Sequence, residues 1–455
     1  MRSILSTGYI GSRQGFRSIW LAPGRHFVAT LSMPASKSLR QHGGSTNKKL
    51  VLFWTRTIVP VPVWGALEAP LYNNIYCIIN NMASFDTIII GGGIIGCTVA
   101  RALAWEGLRV AVIEGHAPGE EASGAAAGML APSAEAEKGS PIFHLCRASL
   151  LAYRPLVEEL RSETGVDPEY LTDGSLLIFA DEQERQQMLP SMNWQCSQNI
   201  AVKELSAPEL HSLEPSLAEF PGAFFLPDDH QIDNRLLMHA LVQSCRQRGV
   251  EFLLGKPVRE IARNGHKVVG AILEDAAGTK VSAGRVVNTA GAWAGSIPAA
   301  GIAPFPIRPV KGHMLALEAA PGTLRHVIRS HRGYLVPRRS GRILVGSTME
   351  EAGFDKTPRA AQITGLLRAA QQLCPVLEKS AVAEVWAGLR PASKDGLPVL
   401  GPTELEGYWV GLGHFRNGIL LAPITAQILS SWLLTGKPSL PVDALSPSRF
   451  ATTKK

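Results

Sequence analysis

A nearly continuous apolar run, Phe85-Asp86-Thr87-Ile88-Ile89-Ile90, leads straight into Gly91-Gly92-Gly93-Ile94-Ile95-Gly96. Such a run predicts a short strand buried on both faces, the environment of a parallel sheet covered by helices. The Ala- and Leu-rich stretch from Cys97 to Glu106 predicts a helix closed by Gly107, and Arg109–Ile113 predicts a second strand ending at Glu114. In this arrangement Gly91 makes the tight turn, Gly93 lets backbone approach a pyrophosphate, and Gly96 lets the helix pack close to the sheet. The helix start at Ile94 and Ile95 supplies free N–H donors and a partial positive charge for that pyrophosphate. Glu114, 18 residues after Gly96, is placed to accept from a ribose 2′-hydroxyl and would repel a 2′-phosphate, which argues against NADP. A glycine turn without a ligand is the bland alternative, and the flanking strand, helix and acid weigh against it. The motif alone leaves FAD and NAD open.

The chain has 455 residues, too many for one ordinary core and suited to two. Its 45% apolar and 18% charged residues exclude a collagen-like, coiled-coil or wholly disordered chain. The net charge of +7 is concentrated at one end: residues 1–82 hold nine basic side chains against the single acid Glu68, leaving 36 basic and 37 acidic residues in 83–455. A neutral body gives no reason to expect a nucleic-acid partner. The six cysteines show no CxxC and no metal-ligand spacing, so no metal site is expected and the thiols fit a reduced setting. Residues 1–82 are Arg- and Ser-rich, and their best apolar stretch, 50–79, is broken by Arg56, Pro60, Pro62, Glu68 and Pro70, so no transmembrane segment is expected. Met82 stands directly before the first strong strand, which favours a dispensable, disordered extension from a start placed too far upstream. A transit segment and a small folded module are the other readings. The expected location is cytoplasmic, or an organelle matrix if the segment is a transit peptide.

Further motifs bear on the cofactor. Ala122-Ser123-Gly124-Ala125-Ala126-Ala127-Gly128-Met129-Leu130 is a run of tiny residues that can lie flat along an extended ligand, or serve as a plain linker. Strands at 250–254, 258–262 and 268–273, with the Asn264-Gly265 turn, predict a small antiparallel meander before another buried strand at 285–289. A strand ending in Gly411-Leu412-Gly413-His414-Phe415-Arg416-Asn417 then opens a long apolar helix at Gly418. That would aim a helix N-terminus at a ligand edge that becomes anionic on reduction, as flavin N1 does.

With Ile90–Gly96, Ala125–Leu130, Tyr334-Leu335-Val336-Pro337-Arg338, Trp386-Ala387-Gly388-Leu389-Arg390-Pro391 and Gly413–Pro423, the sequence resembles the D-amino-acid oxidase-like flavoproteins over about residues 84–440. Within them it is most similar to the glycine oxidase branch of thiamine biosynthesis. The resemblance implies an α/β fold: a Rossmann-like FAD-binding domain (84–160, 227–300, 390–440) interleaved with an α+β substrate domain on a mostly antiparallel sheet (161–226, 301–389), then a tail at 441–455. It implies FAD contacts from Gly91, Gly93, Ile94, Ile95, Gly96, Glu114, Gly115, Ala122, Ser123, Ala127, Gly128, Met129 and Val258. The loop and helix start at His414, Phe415, Arg416, Asn417, Gly418, Ile419 and Leu420 complete that set.

The same resemblance gives Arg390 the substrate carboxylate, for which a planar guanidinium is the matched partner. Arg416 becomes a second substrate-side arginine, Tyr334 a pocket wall and Met349 a residue packed over the pocket. For each the duller reading is a surface or ion-paired arginine, a buried structural tyrosine or a core methionine. Arg332 bears on substrate width. The implied reaction is hydride transfer from glycine, or another small amine or D-amino acid, to flavin N5. The imine then becomes glyoxylate and ammonia, or passes to a thiazole synthase, while O₂ takes the electrons as hydrogen peroxide. No general base is needed, so His230, His313 and His414 are expected to be structural. A homo-oligomer, a tetramer in this family, is implied. Rival readings are a sarcosine oxidase or D-amino-acid dehydrogenase of the same family, a non-catalytic flavoprotein, and an NAD-dependent dehydrogenase.

Overall fold

Strand Thr87–Ile90 shows why its sequence is apolar throughout: Ile89 faces a layer of helices while Ile88 and Ile90 face the opposite layer. The computed structural model describes residues 18–21, 27–31, 50–54, 84–135 and 138–450. Six strands form one sheet in the order Glu251–Leu254, Val110–Glu114, Thr87–Ile90, Val286–Asn288, Tyr408–Leu412 and Val399–Pro402. The first five are parallel and the last is an antiparallel edge. Helices Ile94–Trp105, Phe143–Thr164, Asn234–Gln247 and Gly418–Thr435 share a core with Ile89, Val112 and Val287. On the other face, the meander Val258–Asn264, Lys267–Leu273 and Lys280–Ser282 packs against Ile88, Ile90, Ala111 and Ile113. Each such isoleucine side chain, fully buried, contributes about 1.5–3 kcal/mol.

A second sheet has eight strands: Ala381–Ser393, Ile307–Glu318, Arg342–Gly346, Gly333–Pro337, Val327–Ser330, Ser175–Phe179, Gly222–Leu226 and Lys203–Ser206. Its pairs are antiparallel except Val327–Ser330 with Ser175–Phe179. Alternation sorts Ile307–Glu318: Leu315 and Leu317 pack with helix Ala360–Leu373, while Met314 and Ala316 pack toward Ala127. Arg390 lies inside Ala381–Ser393, opposite Val310, so a domain boundary at 390 would cut a strand. Val442 and Leu445 of the tail join the helical core.

Residues Met1–Asn81 form a separate unit, with Ser18–Leu21, Phe27–Leu31 and Leu50–Trp54 as antiparallel neighbours. The described part of the stretch expected to be disordered is therefore strand, and the rest of 1–83 lies outside the described residues.

Among the described residues three helices carry an internal proline, and Pro190 of Glu182–Ser197 is exposed. Pro155 sits on the exposed side of Phe143–Thr164, where water can satisfy the freed carbonyl. Pro423 is buried inside Gly418–Thr435 and cannot donate to the carbonyl four residues back, that of Ile419. The Tyr153 hydroxyl of the neighbouring helix donates to that carbonyl instead. One step on, the Ser149 hydroxyl donates to the Leu420 carbonyl at 2.6 Å and accepts from the Ile424 N–H at 3.3 Å. Burial drives the Tyr153 phenol far above its usual pKa, so it stays a donor. This repaired helix is long and apolar enough to cross a membrane, yet Ile419, Leu421, Ile424 and Ile428 are built into the helical core. Tyr153→Phe should cost about 1–3 kcal/mol by orphaning a buried carbonyl. Urea unfolding of the two proteins checks this, and equal midpoints would show that the carbonyl has another partner.

Candidate active site

The C-terminal ends of the parallel strands open into a cavity of about 800 Å³ that continues to the second sheet. At one end lies the glycine loop. Gly91 has φ +98°, and a Cβ there would stand 2.6 Å from the Thr289 carbonyl oxygen. A Cβ on Gly96 would stand 2.0 Å from the Gly91 carbonyl oxygen, so only hydrogen fits and the helix can begin directly behind the loop. Helix Ile94–Trp105 has no side-chain cap and no acid in its first turn. The Ile94 N–H donates to Ser123 Oγ at 2.9 Å, which ties the tiny-residue segment to the helix start. Glu114 Oε2 accepts from the Gly92 N–H at 2.7 Å and Oε1 from the His116 N–H at 2.9 Å, holding a carboxylate in the cavity wall. The second long helix, Gly418–Thr435, also starts at the cavity without an acid in its first turn. Ala122, Ser123, Ala127, Gly128, Met129 and Val258 also line the wall. Two helix N-termini, a glycine cradle and a small-residue wall along one elongated cavity fit a dinucleotide bearing a reducible ring.

At the other end the guanidinium of Arg390 lies across Gly312 of the neighbouring strand. A Cβ on Gly312 would stand 2.1 Å from Arg390 Nη1. Arg390 donates to Ser347 Oγ at 2.7 Å and to the Thr348 carbonyl at 3.3 Å, and no described carboxylate forms an ion pair with it. Tyr334 is laid over Gly346 in the same way, its Oη 3.2 Å from Met314 Sδ. Arg329, paired across the strands with Tyr334, also lines the cavity and forms an ion pair with Glu135. Arg416 approaches the same carboxylate at 3.7 Å with its side chain half exposed.

The structure brings together Arg390, Arg416 and Tyr334, and with them Gly91, Gly93, Ile94, Ile95, Glu114, Gly115, His414, Phe415, Gly418 and Ile419. Met349 is a correction: it is 68% exposed and lies outside the cavity wall, because Ser347 takes the inward position and the chain has turned out by 349. The methionine in the wall is Met314, which alternation places on the same strand face as Gly312. Gly96, Asn417 and Leu420 also stand off the cavity surface. Gly96 packs under the loop, the Asn417 N–H donates to the His414 carbonyl, and Leu420 is buried among the helices. Arg329 and Glu135 were not foreseen. Val327–Ser330 is too short for its alternation to stand out, and Glu135 sits in a turn.

The three histidines are held structurally. Lys311 and His313 point away from Gly312 and Met314, by the same alternation, and His313 Nδ1 is 2.8 Å from Thr348 Oγ1. His230 Nδ1 is 2.6 Å from the Tyr170 hydroxyl. His414 Nε2 is 2.9 Å from Thr425 Oγ1, and burial pushes its pKa down to about 3. Burial likewise lowers His230 and His313. Among the described residues no group of His, Cys, Asp and Glu could hold a metal ion.

Residues 86–432 match the family described as FAD dependent oxidoreductase. The chain is 34% identical over 356 residues to the glycine oxidase of Bacillus licheniformis, covering 78% of this chain and 94% of that protein. It is 37% identical over 375 residues to the bifunctional protein ThiO/ThiG of Synechocystis sp., covering 81% of this chain and 54% of the relative, so it spans about half of that longer protein. The crystal structure of glycine oxidase from Geobacillus kaustophilus superposes with a TM-score of 0.76 at 32% identity, covering 81% of this chain and all of that one.

Gly312→Ala should displace the Arg390 guanidinium and weaken binding of a simple carboxylate such as acetate, with the nucleotide end unaffected. Equilibrium titration checks this, and unchanged affinity would mean that the arginine has room to move aside. His414 gives a pH signature. Its folded pKa lies below the ordinary 6.5, so its contribution to stability is present above that value and is lost as pH falls toward about 3. At about pH 5 the loss relative to about pH 7 should be roughly 2 kcal/mol and should be absent from His414→Gln. Denaturant unfolding at the two pH values measures both.

Proposed function

The chain belongs to the FAD dependent oxidoreductase family, and from that premise we propose that it is a glycine oxidase. It would oxidise glycine, and other small amines of the same shape, to the imine that water converts to glyoxylate and ammonia. The observation that carries the reading is Arg390: a half-buried guanidinium in the cavity wall with neutral partners only and part of its donor fork unused. A buried cation without an acid costs free energy unless a ligand supplies the charge, and a carboxylate does so in bidentate geometry.

FAD, when bound, supplies the two-electron acceptor, which O₂ reoxidises to give hydrogen peroxide. The glycine loop and Glu114 would hold its nucleotide half, and the start of Gly418–Thr435 would face its reducible ring. Arg390 fixes the substrate by its carboxylate, with Ser347 and Gly312 fixing Arg390. Tyr334 and Met314 wall the pocket and exclude water. The buried His313 and His414 and the half-buried His230, each held by a hydroxyl, take no proton from the substrate, in keeping with a reaction driven by positioning rather than a base.

The partners are the small amine and O₂. The relative that joins ThiO to ThiG supports an outlet toward the thiazole of thiamine, with a thiazole synthase as acceptor of the imine. All five cysteines among the described residues are free, which supports a reducing, cytoplasmic setting.

Anaerobic titration with glycine should abolish the visible flavin absorbance, more completely than sarcosine or D-alanine at equal concentration. A flavin that stays yellow with every amine would overturn the reading in favour of a non-catalytic flavoprotein. Arg390→Ala should raise KM for glycine by about 30- to 1000-fold, or roughly 2–4 kcal/mol, with FAD content unchanged. An unchanged KM would remove Arg390 from the site.

A further inference from the structure

Among the described residues three arginines line the substrate end of the cavity, and only Arg390 has no carboxylate partner. Arg329 and Arg416 converge on Glu135, whose carboxylate is about four-fifths buried, as is the Arg329 side chain. Arg329 Nη1 also approaches Met129 Sδ at 3.9 Å, fixing the guanidinium against the cavity wall.

Glu135 is held there by its backbone. The preceding N–H groups of Ser133 and Ala134 donate to the buried carboxylate of Asp229 at 2.9 and 3.1 Å. Asp229 is tied in turn to the Ser175 hydroxyl at 2.6 Å. Gln195 Nε2 donates to the Ser133 carbonyl at 3.0 Å. The turn carrying Glu135 is therefore anchored on both backbone polarities to the second sheet and its flanking helix.

A cavity with Arg390 at one point and two further guanidiniums at another would suit an amine bearing two carboxylates. Here one of those carboxylates is supplied by the protein. We propose that Glu135 is a specificity-determining residue: it occupies the second-carboxylate position, neutralises Arg329 and Arg416, and so restricts the pocket to monocarboxylic amines. The assignment rests on the oxidase reading, in which Arg390 receives the substrate carboxylate. With Glu135 in place, a second substrate carboxylate meets like charge and no free cation. With it removed, two guanidiniums become available for a bidentate contact.

The test uses flavin-loaded protein under anaerobic conditions and follows the shift of flavin absorbance on ligand binding, so it does not depend on turnover. Acetate reports on Arg390 alone, and iminodiacetate, an N-substituted glycine with a second carboxylate, reports on both positions. In Glu135→Gln the ratio of the iminodiacetate to the acetate dissociation constant should fall by about tenfold or more. In Glu135→Gln/Arg329→Gln/Arg416→Gln, which leaves neither guanidinium, it should return toward the wild-type ratio. Arg329→Gln alone, which leaves the carboxylate with one fewer cation, should weaken acetate binding. An unchanged ratio in Glu135→Gln, with acetate still bound, overturns the assignment and leaves the oxidase reading intact. A ratio that falls equally in the triple variant shows that neither guanidinium receives the second carboxylate, and overturns it too. Failure of wild-type protein to bind acetate at all overturns the reading of Arg390 and the assignment with it.

Discussion

A guanidinium lying flat across a glycine is the contact on which this active-site architecture depends. Arg390 reaches the cavity only because Gly312, on the adjacent strand, has no side chain to meet it. The two residues come into range because Ile307–Glu318 and Ala381–Ser393 pair along nearly their whole lengths. Shifting that register by one residue would turn Arg390 to the opposite face, where Lys311 and His313 are buried. The eight-stranded sheet is thus both a core and a ruler. Its far portion buries Leu315 and Leu317 under a helix, and its near portion sets Arg390 at the cavity wall.

The glycine-loop end of the cavity uses the same physical device. Gly91 and Gly96 allow backbone to approach backbone at distances that a Cβ would forbid, which brings a helix start up to the loop. The second helix start has a different history. Gly418–Thr435 carries a buried proline inside its first turns, and its broken hydrogen bonds are mended by Tyr153 and Ser149 of another helix. The end that faces the cavity is therefore stabilised by tertiary contacts, and strength there comes from packing more than from helix propensity.

Charge is distributed with equal economy. Arg390 has neutral partners, whereas Arg329 and Arg416 share Glu135. In a partly desolvated cavity that difference decides where an anion goes, because an ion-paired guanidinium offers little to a ligand and an unpaired one offers much. Histidines that look available in the sequence are withdrawn by burial, each beside a hydroxyl that fixes its ring.

Much of this was legible in the residues. A run of Ile before three glycines predicts a buried strand entering a tight turn, and the acid at the end of the next strand follows from local spacing. Arg390 stood out because a cation in an apolar, glycine-rich segment has no structural reason to be there. Met349 was misjudged because apolarity says nothing about which way a turning chain faces, whereas Met314 could have been found by counting alternate residues from Gly312. Arg329 and Glu135 lie 194 residues apart in sequence, and no local pattern links them. Their meeting is decided by strand order in the sheet and by a turn anchored through Asp229. The sequence by itself determined the elements and the glycine loop, since those depend on neighbours a few residues away. Only the tertiary structure decided which arginine is left free, since that depends on which distant carboxylate reaches each one first.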